Sequence, residues 1–223
     1  MLILAVDTSG KYGSIAIARC GPEGGCELLE VVPLEGGTFS AQLIPQIAAL
    51  LTKRKFSKHD IDAFAVVSGP GSFTGLRVGL SAIKALAEIL NKPITTVSVL
   101  EALAASQTNY SKVFAVLDAG RVEVYVGEYD LNPVPIMRSE CLLTRQEMVS
   151  AVGSQKIVTP DKSIADFANG VGLAVIEIER PQSDAIARLG WQNLLNGKTV
   201  TPENLEANYI RRSDAEIFSK PNL

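Results

Sequence analysis

Short apolar runs alternate with glycine-rich and polar breaks along the first half of the chain, and some of the longer runs keep a helical period. Runs of five or six apolar residues that end at a polar residue or glycine are typical of buried strands, whereas apolar spacings of three and four indicate helices. Gly10, Gly13 and the 21–25 segment mark turns between the first strands. The pattern predicts strands at 2–6, 14–19, 27–32, 63–68 and 94–98, and helices at 40–54, 74–90 and 99–107.

The second half repeats this order of elements. Its pattern predicts strands at 113–118, 122–129, 135–141, 156–159 and 174–178, and helices at 144–151, 162–168 and 184–196. The opening strands of the two halves match most closely, because each ends in an aspartate before a turn, at Asp7 and Asp118. We therefore predict a duplicated βββαβαβα unit, with halves at residues 1–109 and 110–223, the second of which ends in an extended tail.

This order of strands and helices predicts an α/β fold with a mixed sheet in each half. Hairpins make the first strands antiparallel, and right-handed crossovers add parallel strands. Two such halves facing one another would leave a cleft, and Asp7 and Asp118 are expected to point toward it, since ligands collect beyond the carboxyl ends of strands. This is the plan of the actin-like ATPase superfamily, with the sugar kinases and Hsp70, and by itself it does not define a function.

Composition narrows the range of functions. The chain has 47% hydrophobic and 20% charged residues and a formal net charge of −3, which describes an ordinary globular protein. Its longest basic run is Lys53–Lys55, whereas proteins that bind RNA alone usually carry a basic stripe. We therefore expect no independent RNA binding. The first apolar run, Met1–Val6, is too short for a signal peptide, which predicts a cytoplasmic protein with no membrane association.

The cysteine and histidine content argues against metal and disulfide chemistry. Cys20, Cys26 and Cys141 are odd in number and form no Cys-x-x-Cys pair, so we expect neither a disulfide framework nor a zinc site. The one histidine, His59, lies in a polar stretch and is interpreted as a solvated loop residue. So little histidine also disfavours a Ser-His-Asp triad. We therefore predict no metal site in this chain.

The most distinctive segment is Ser68–Gly79, a glycine-rich stretch between a predicted strand and a predicted helix. Such stretches hold phosphates in many α/β proteins, because exposed N–H groups and the helix dipole favour an anion. Gly71 and Ser72 would then contact the phosphate. However, the stretch lacks the Lys followed by Ser or Thr of a P-loop. A tight turn with Ser72 or Thr74 as the helix N-cap also explains it, and we favour this structural role.

A second candidate phosphate site lies at the turns that follow the two matching strands. Its residues are Asp7, Thr8, Ser9 and Gly10, with Asp118 as the counterpart in the second half. In an ATP-using relative, Asp7 would hold the metal-bound phosphates. Alternatively, these short polar side chains suit a hairpin turn, because they hydrogen-bond their own backbone. Both interpretations stand for Asp7, whereas Asp118 has Arg121 nearby to neutralise it.

The predicted helices at 40–54 and 74–90 carry more apolar surface than a helix needs to cover one side of a sheet. On the 74–90 helix the polar positions form one narrow stripe and leave an apolar arc of roughly 220°, against about 100° for a surface helix. The 40–54 helix behaves alike. A half of this size cannot bury both helices completely, so we favour an interface with another subunit over a fully buried pair. The predicted interface residues are Leu43, Ile47, Leu50, Leu76, Gly79, Leu80, Ala82, Ile83, Ala85 and Leu86.

Five segments carry a resemblance to a known family. They are Leu4–Ser9, Ser68–Gly79, Val99–Leu103, Asp118–Tyr125 and Asn208–Arg211. In this order they resemble the bacterial TsaB (YeaZ) family, which supports threonylcarbamoylation of adenosine 37 in tRNA. The resemblance spans nearly the whole chain. Its Gly69–Arg77 part is highly specific, whereas the Leu-Glu-Ala-Leu and Tyr-Ile-Arg pieces are individually weak.

The resemblance implies an actin-like fold and a noncatalytic accessory subunit. Family members pair with the related protein TsaD, which carries the metal site and the transfer chemistry, and work with the ATPase TsaE. Alone they form homodimers through a helical bundle. The chain would meet tRNA only through the complex and would hold no cofactor, with ATP or ADP only at the partner interface. The family often has His-Ser where this chain has Phe39-Ser40, so no role of that histidine carries over.

Two functions therefore follow from the sequence. The first is a scaffold that positions and activates a TsaD-type partner. The alternative is a stand-alone ATP-dependent phosphotransferase of the actin and sugar-kinase superfamily, motivated by the two aspartate hairpins. A kinase also needs a glycine-rich turn for adenine in its second half, and the best available segment, Asn169–Gly172, is a poor match. We favour the scaffold.

Overall fold

Each half of the repeated pattern builds a five-stranded mixed sheet. The computed structural model describes residues 1–22, 25–132 and 134–210. One unit consists of Met1–Ala102 and Pro181–Ala207, and the other of Leu103–Arg180 with the segment that starts at Asn208. Arg211 and the residues that follow it lie outside the described residues. Within the described part, no helix is long and apolar enough to cross a membrane.

The first sheet is organised around a fully buried central strand. Its strands are β1 (Leu2–Asp7), β2 (Gly13–Cys20), β3 (Cys26–Leu34), β4 (Ala63–Gly69) and β5 (Ile94–Ser98). Their order is β3-β2-β1-β4-β5. The pairs β1–β2 and β2–β3 are antiparallel, whereas β4 runs parallel to β1 and β5. All six residues of β1 are buried, as expected of a strand covered on both faces.

Three helices follow these strands in the chain. They are α1 (Phe39–Lys53), α2 (Phe73–Leu90) and α3 (Val99–Ala105), with a 3-10 turn at Lys58–Asp60. The hydroxyl of Ser72 caps α2 by accepting a hydrogen bond from the Gly75 N–H at 3.3 Å, as the N-cap interpretation expects. The helix ends at Leu90, and the next residue, Asn91, caps it in a left-handed conformation with φ of 51°. The predicted helix boundaries therefore agree with local capping chemistry.

The second sheet has the same topology as the first. Its strands are β6 (Lys112–Gly120), β7 (Glu123–Leu131), β8 (Pro135–Thr144), β9 (Lys156–Thr159) and β10 (Ala174–Glu177), with helices α4 (Arg145–Val152) and α5 (Lys162–Gly170). The order β10-β9-β6-β7-β8 places an antiparallel hairpin on one side and parallel strands on the other. Met148, Ile157 and Ile164 contribute to its buried core. The predicted duplication is thus present in the topology.

The last helix, α6 (Ser183–Leu195), belongs to the first unit, although the predicted boundary at residue 109 assigned it to the second half. It packs across all five strands of the first sheet. Ser183 donates from its backbone N–H to the Ser14 hydroxyl at 2.9 Å. Gly190 lies so close to the sheet that a Cβ there would be 2.8 Å from the Thr95 hydroxyl oxygen. The helix covers the first sheet although it comes last in the chain, so dividing the sequence at its midpoint assigns it to the wrong half.

A disulfide joins Cys20 to Cys26, and the expectation of no disulfide was wrong. The two residues are direct partners in the β2–β3 register, with Cα atoms 4.1 Å apart. The two cysteines face one another across the strands because the chain folds into a hairpin between them. Cys141, on β8, is the remaining thiol and is half-buried.

Candidate protein-interaction site

Three of the four glycines in the Ser68–Gly79 segment are explained by close packing on the turn after β1. A Cβ on Gly71 would lie 2.8 Å from the Cβ of Ser9. A Cβ on Gly75 would overlap the carbonyl oxygen of Thr8, and one on Gly79 would overlap the Thr8 hydroxyl. These glycines therefore let the first turns of α2 approach the β1–β2 turn more closely than a side chain permits.

Hydrogen bonds hold the same two segments together. The Thr8 hydroxyl donates to the Gly75 carbonyl at 2.7 Å, and the Ser72 N–H donates to the Ser9 carbonyl at 2.7 Å. One carboxylate oxygen of Asp7 accepts from both the N–H and the hydroxyl of Ser9, at 2.8 and 2.5 Å. Asp7, Thr8 and Ser9 are all buried. The predicted phosphate contacts of the first unit thus lie close together, and many of their polar groups are hydrogen-bonded to one another or to the start of α2.

Two predicted phosphate contacts differ from this group in their surroundings. Gly10 is half-buried at the end of the turn. Asp118 is exposed and belongs to the second unit. There its backbone N–H donates to the Asp161 carboxylate at 2.8 Å, and its own carboxylate accepts from the Gly120 N–H at 3.0 Å. No cluster of three or more His, Cys, Asp or Glu side chains able to hold a metal ion occurs among the described residues.

Most of the predicted interface residues are core residues of the first unit. The buried ones are Leu43, Ile47, Leu50, Leu76, Gly79, Leu80 and Ile83. Of the ten, Ala82 and Leu86 are half-buried and Ala85 is exposed. The wide apolar arc is real, but its central part packs inside the unit. Of the predicted set, only Ala82, Ala85 and Leu86 remain accessible to a partner.

Seven of the apolar positions that remain accessible form one stripe on each helix, together called here the exposed apolar stripe. It consists of Val78, Ala82, Ala85 and Ile89 on α2 and of Ala41, Ile44 and Ala48 on α1. Ile89 is 73% exposed and Ile44 is 48% exposed. The α2 members are spaced by four, three and four residues, which is the seam spacing of coiled coils. The stripe therefore suits packing against helices of another chain.

A groove of about 510 Å³ runs between α1 and α2 beside this stripe. Its lining residues are Ser40, Leu43, Ile44, Phe73, Thr74, Arg77, Val78, Ser81 and Ala82. The Arg77 guanidinium lies 3.8 Å from the centre of the Phe73 ring, so the two side chains stack at one end. Phe73 is 39% exposed. Aromatic and arginine side chains of this kind are enriched at protein interfaces.

Ile44, Phe73 and Ile89 were missed by the sequence-based prediction, although a signal for Ile89 was present. On α2, Ile89 lies about 120–140° around the helix from the buried Leu76 and Ile83 at 100° per residue. Ile44 gives no such signal, because it lies only about 20° from the buried Leu51 on α1. Periodicity defines such sides, but the sheet decides which side it buries.

Phe39 is buried at the start of α1, where it packs against β2. A Cβ on Gly13 would lie 2.9 Å from its ring. The Phe39 side chain is therefore part of the core.

Comparisons with known proteins agree on one family. The family model described as "TsaD: tRNA N6-adenosine threonylcarbamoyltransferase" matches residues 31–165, more than half of the chain. The tRNA threonylcarbamoyladenosine biosynthesis protein TsaB of Escherichia coli (strain K12) is 29% identical, over 96% of this chain and 96% of that protein. TsaB of Bacillus subtilis (strain 168) is 35% identical, over 58% of this chain and 55% of that protein. The solved structure of YeaZ from Pseudomonas aeruginosa shares the fold, with a TM-score of 0.77 and 24% identity over 93% of this chain and 99% of that one.

Proposed function

Because the chain belongs to the tRNA N6-adenosine threonylcarbamoyltransferase family, in its TsaB (YeaZ) group, we propose that it acts in the synthesis of threonylcarbamoyladenosine at position 37 of tRNA as a noncatalytic subunit. The observation that carries this proposal is the exposed apolar stripe beside the α1–α2 groove. A stripe of this kind on an otherwise ordinary surface is typical of a protein that functions with a partner.

The surroundings of the predicted phosphate contacts support the noncatalytic role. The Asp7 carboxylate is buried and accepts two hydrogen bonds from Ser9. The turn that carries Thr8 and Ser9 occupies the space beside Gly71 and Gly75, which leaves less room for a phosphate there. We therefore propose that the lone chain holds no nucleotide and that ATP or ADP binds only where the partner completes a site.

The proposed partner is a TsaD-type catalytic subunit, bound through the exposed apolar stripe. The TsaD family model matches residues 31–165, a range that contains α1 and α2. We therefore expect a TsaD-type partner to share the fold and to have helices equivalent to these two. Equivalent helices meeting across a pseudo-two-fold axis would place the stripe of one chain against that of the other. The same geometry lets two copies of this chain form a homodimer when the partner is absent.

The remaining members of the assembly follow from this role. We propose that a TsaE-type ATPase joins the complex and that tRNA is contacted through the complex, since the chain has a net charge of −3 and no long basic run. The proposal places the protein in the cytoplasm, where bacterial tRNA is modified.

Reconstitution of tRNA modification tests the proposal. The purified TsaD-type and TsaE-type proteins, with the enzyme that supplies the threonylcarbamoyl group, are incubated with tRNA in the presence or absence of this chain. We expect modified adenosine to form only when the chain is present. Equal modification in its absence would contradict the proposed role. Modification by this chain without the TsaD-type protein would contradict its noncatalytic status.

A further inference from the structure

The Cys20–Cys26 disulfide lies on a part of the first unit that the proposed function leaves unused. Cys20 is the last residue of β2 and Cys26 is the first residue of β3. Because β3 is the outermost strand of its sheet, the bond closes the turn end of an edge hairpin. It therefore fastens a strand that has a neighbour on one side only.

Contacts other than the disulfide hold both cysteines in place. The N-terminal ammonium of Met1 donates to the Cys20 carbonyl at 2.7 Å, and the Cys20 N–H donates to the Met1 carbonyl at 2.8 Å. On the other strand, the Arg188 guanidinium of α6 donates to the Cys26 carbonyl at 3.1 Å. These contacts do not depend on the sulfur atoms. The two thiols are therefore expected to stay opposite one another after reduction, ready to re-form the bond.

The two cysteine residues differ in exposure. Cys20 is 1% exposed, whereas Cys26 is partly exposed. We therefore expect a small thiol to attack the bond at Cys26. The third cysteine does not compete well, because burial and the nearby carboxylates of Glu128 and Glu147 raise the pKa of the Cys141 thiol and keep it protonated.

We propose that Cys20 and Cys26 form a reversible thiol–disulfide site that exchanges with low-molecular-weight thiols and disulfides. In reduction, the thiolate of a dithiol attacks the Cys26 sulfur, the bond to Cys20 breaks, and the Cys20 thiolate takes up a proton. The second thiol of the reagent then attacks the reagent's other sulfur atom, which is bonded to Cys26 in the mixed disulfide. This releases the Cys26 thiolate, which takes up a proton in turn. Two electrons and two protons pass to the cysteines, and the reagent leaves as its cyclic disulfide. Oxidation by glutathione disulfide runs in the opposite direction and releases two glutathione molecules.

The oxidised form is expected to act as a staple. Closing a short loop removes conformations from the unfolded chain and so stabilises the folded state. In a reducing cytoplasm the pair would rest as two thiols, and oxidising conditions would convert it into the staple. This inference does not require the proposed role in tRNA modification.

Counting thiols in the full chain tests the chemistry. Samples equilibrated with glutathione buffers of increasing oxidised fraction are quenched with acid, denatured and alkylated, and their masses are measured. We expect three alkylated cysteines at the reducing end and one, Cys141, at the oxidising end. Returning the oxidised sample to excess dithiothreitol should restore all three. Three labels in every buffer, a Cys141-containing disulfide, or a failure to interconvert would each overturn the proposal.

Thermal unfolding tests the staple. We expect the oxidised chain to melt about 5–10 °C above the reduced chain. Cys26→Ser should melt like the reduced chain in both buffers, and the matched control Cys141→Ser should keep the difference. An equal melting temperature for the oxidised and reduced wild-type chain would refute the staple, as would an undiminished difference in Cys26→Ser.

Discussion

The substitution Ala82→Glu places a carboxylate in the middle of the exposed apolar stripe. Ala82 is half-buried on α2, one turn from Val78 and from Ala85, and it lines the groove together with Ile44. Glutamate is nearly as good a helix former as alanine. Since the position is accessible in the isolated chain, the free energy of unfolding should change by no more than about 0.5 kcal/mol.

The effect on association should be much larger than the effect on folding. A charge buried at an interface without a partner costs about 3 kcal/mol. Because 1.4 kcal/mol corresponds to a factor of ten, the Kd for a TsaD-type partner should rise on the order of 100-fold. In a two-fold homodimer the substitution occurs twice, so the loss should approach about 6 kcal/mol, on the order of 10⁴-fold.

Sedimentation velocity of the lone chain over a concentration series measures the homodimer, and calorimetric titration with the TsaD-type protein measures the heterodimer. The matched control is Ala151→Glu, the same change at an exposed position of α4 in the second unit. Leu80→Asp is unsuitable, since Leu80 is only 7% exposed and its loss would disrupt the core. If Ala82→Glu keeps both Kd values within about threefold of wild type while its circular dichroism is unchanged, the assignment of the stripe as the interface is refuted.

Three further predictions concern the glycine segment, nucleotide binding and one helix cap. Gly75→Ala should lower the free energy of unfolding by at least about 1–3 kcal/mol in urea denaturation, because its Cβ would overlap the Thr8 carbonyl oxygen, and wild-type stability would contradict this packing. Calorimetric titration of the lone chain with Mg-ATP should give no binding heat, whereas tight binding that is lost in Asp7→Ala would support the phosphotransferase. Hydrogen bonds from the Thr144 N–H and hydroxyl hold the pKa of Glu147 below its ordinary value, so the cap of α4 contributes stability above the ordinary glutamate pKa and loses it as pH falls through the lowered one. NMR titration should show this lowered pKa in wild type and a return toward the ordinary value in Thr144→Ala.

Local pattern was sufficient to locate the helices and strands. The predicted strand at 94–98 coincides with β5, and the predicted 74–90 helix lies within one residue of α2. Both agree because apolar period, turn residues and caps act over a few neighbouring positions. The repeated order of elements likewise predicted two sheets of equal topology, which the structure contains.

The candidate site was predicted less completely, because it depends on which side of a helix the sheet covers. Leu80 and Ala82 are both apolar and only two residues apart, and the width of the apolar arc alone does not separate them. In the structure Leu80 packs in the core and Ala82 borders the groove. Ile89, which is 73% exposed, lies outside the predicted set for the same reason.

The sequence by itself determined the elements, their duplication, the excess of apolar surface on α1 and α2, and the motifs that indicate the family. Only the tertiary structure decided which atoms meet. It showed that Gly75 is required by the Thr8 carbonyl, that α6 covers the first sheet, and that Cys20 faces Cys26 across a hairpin. The physical reason is that elements arise from interactions between near neighbours in the chain, whereas these contacts join segments that packing and strand register bring together.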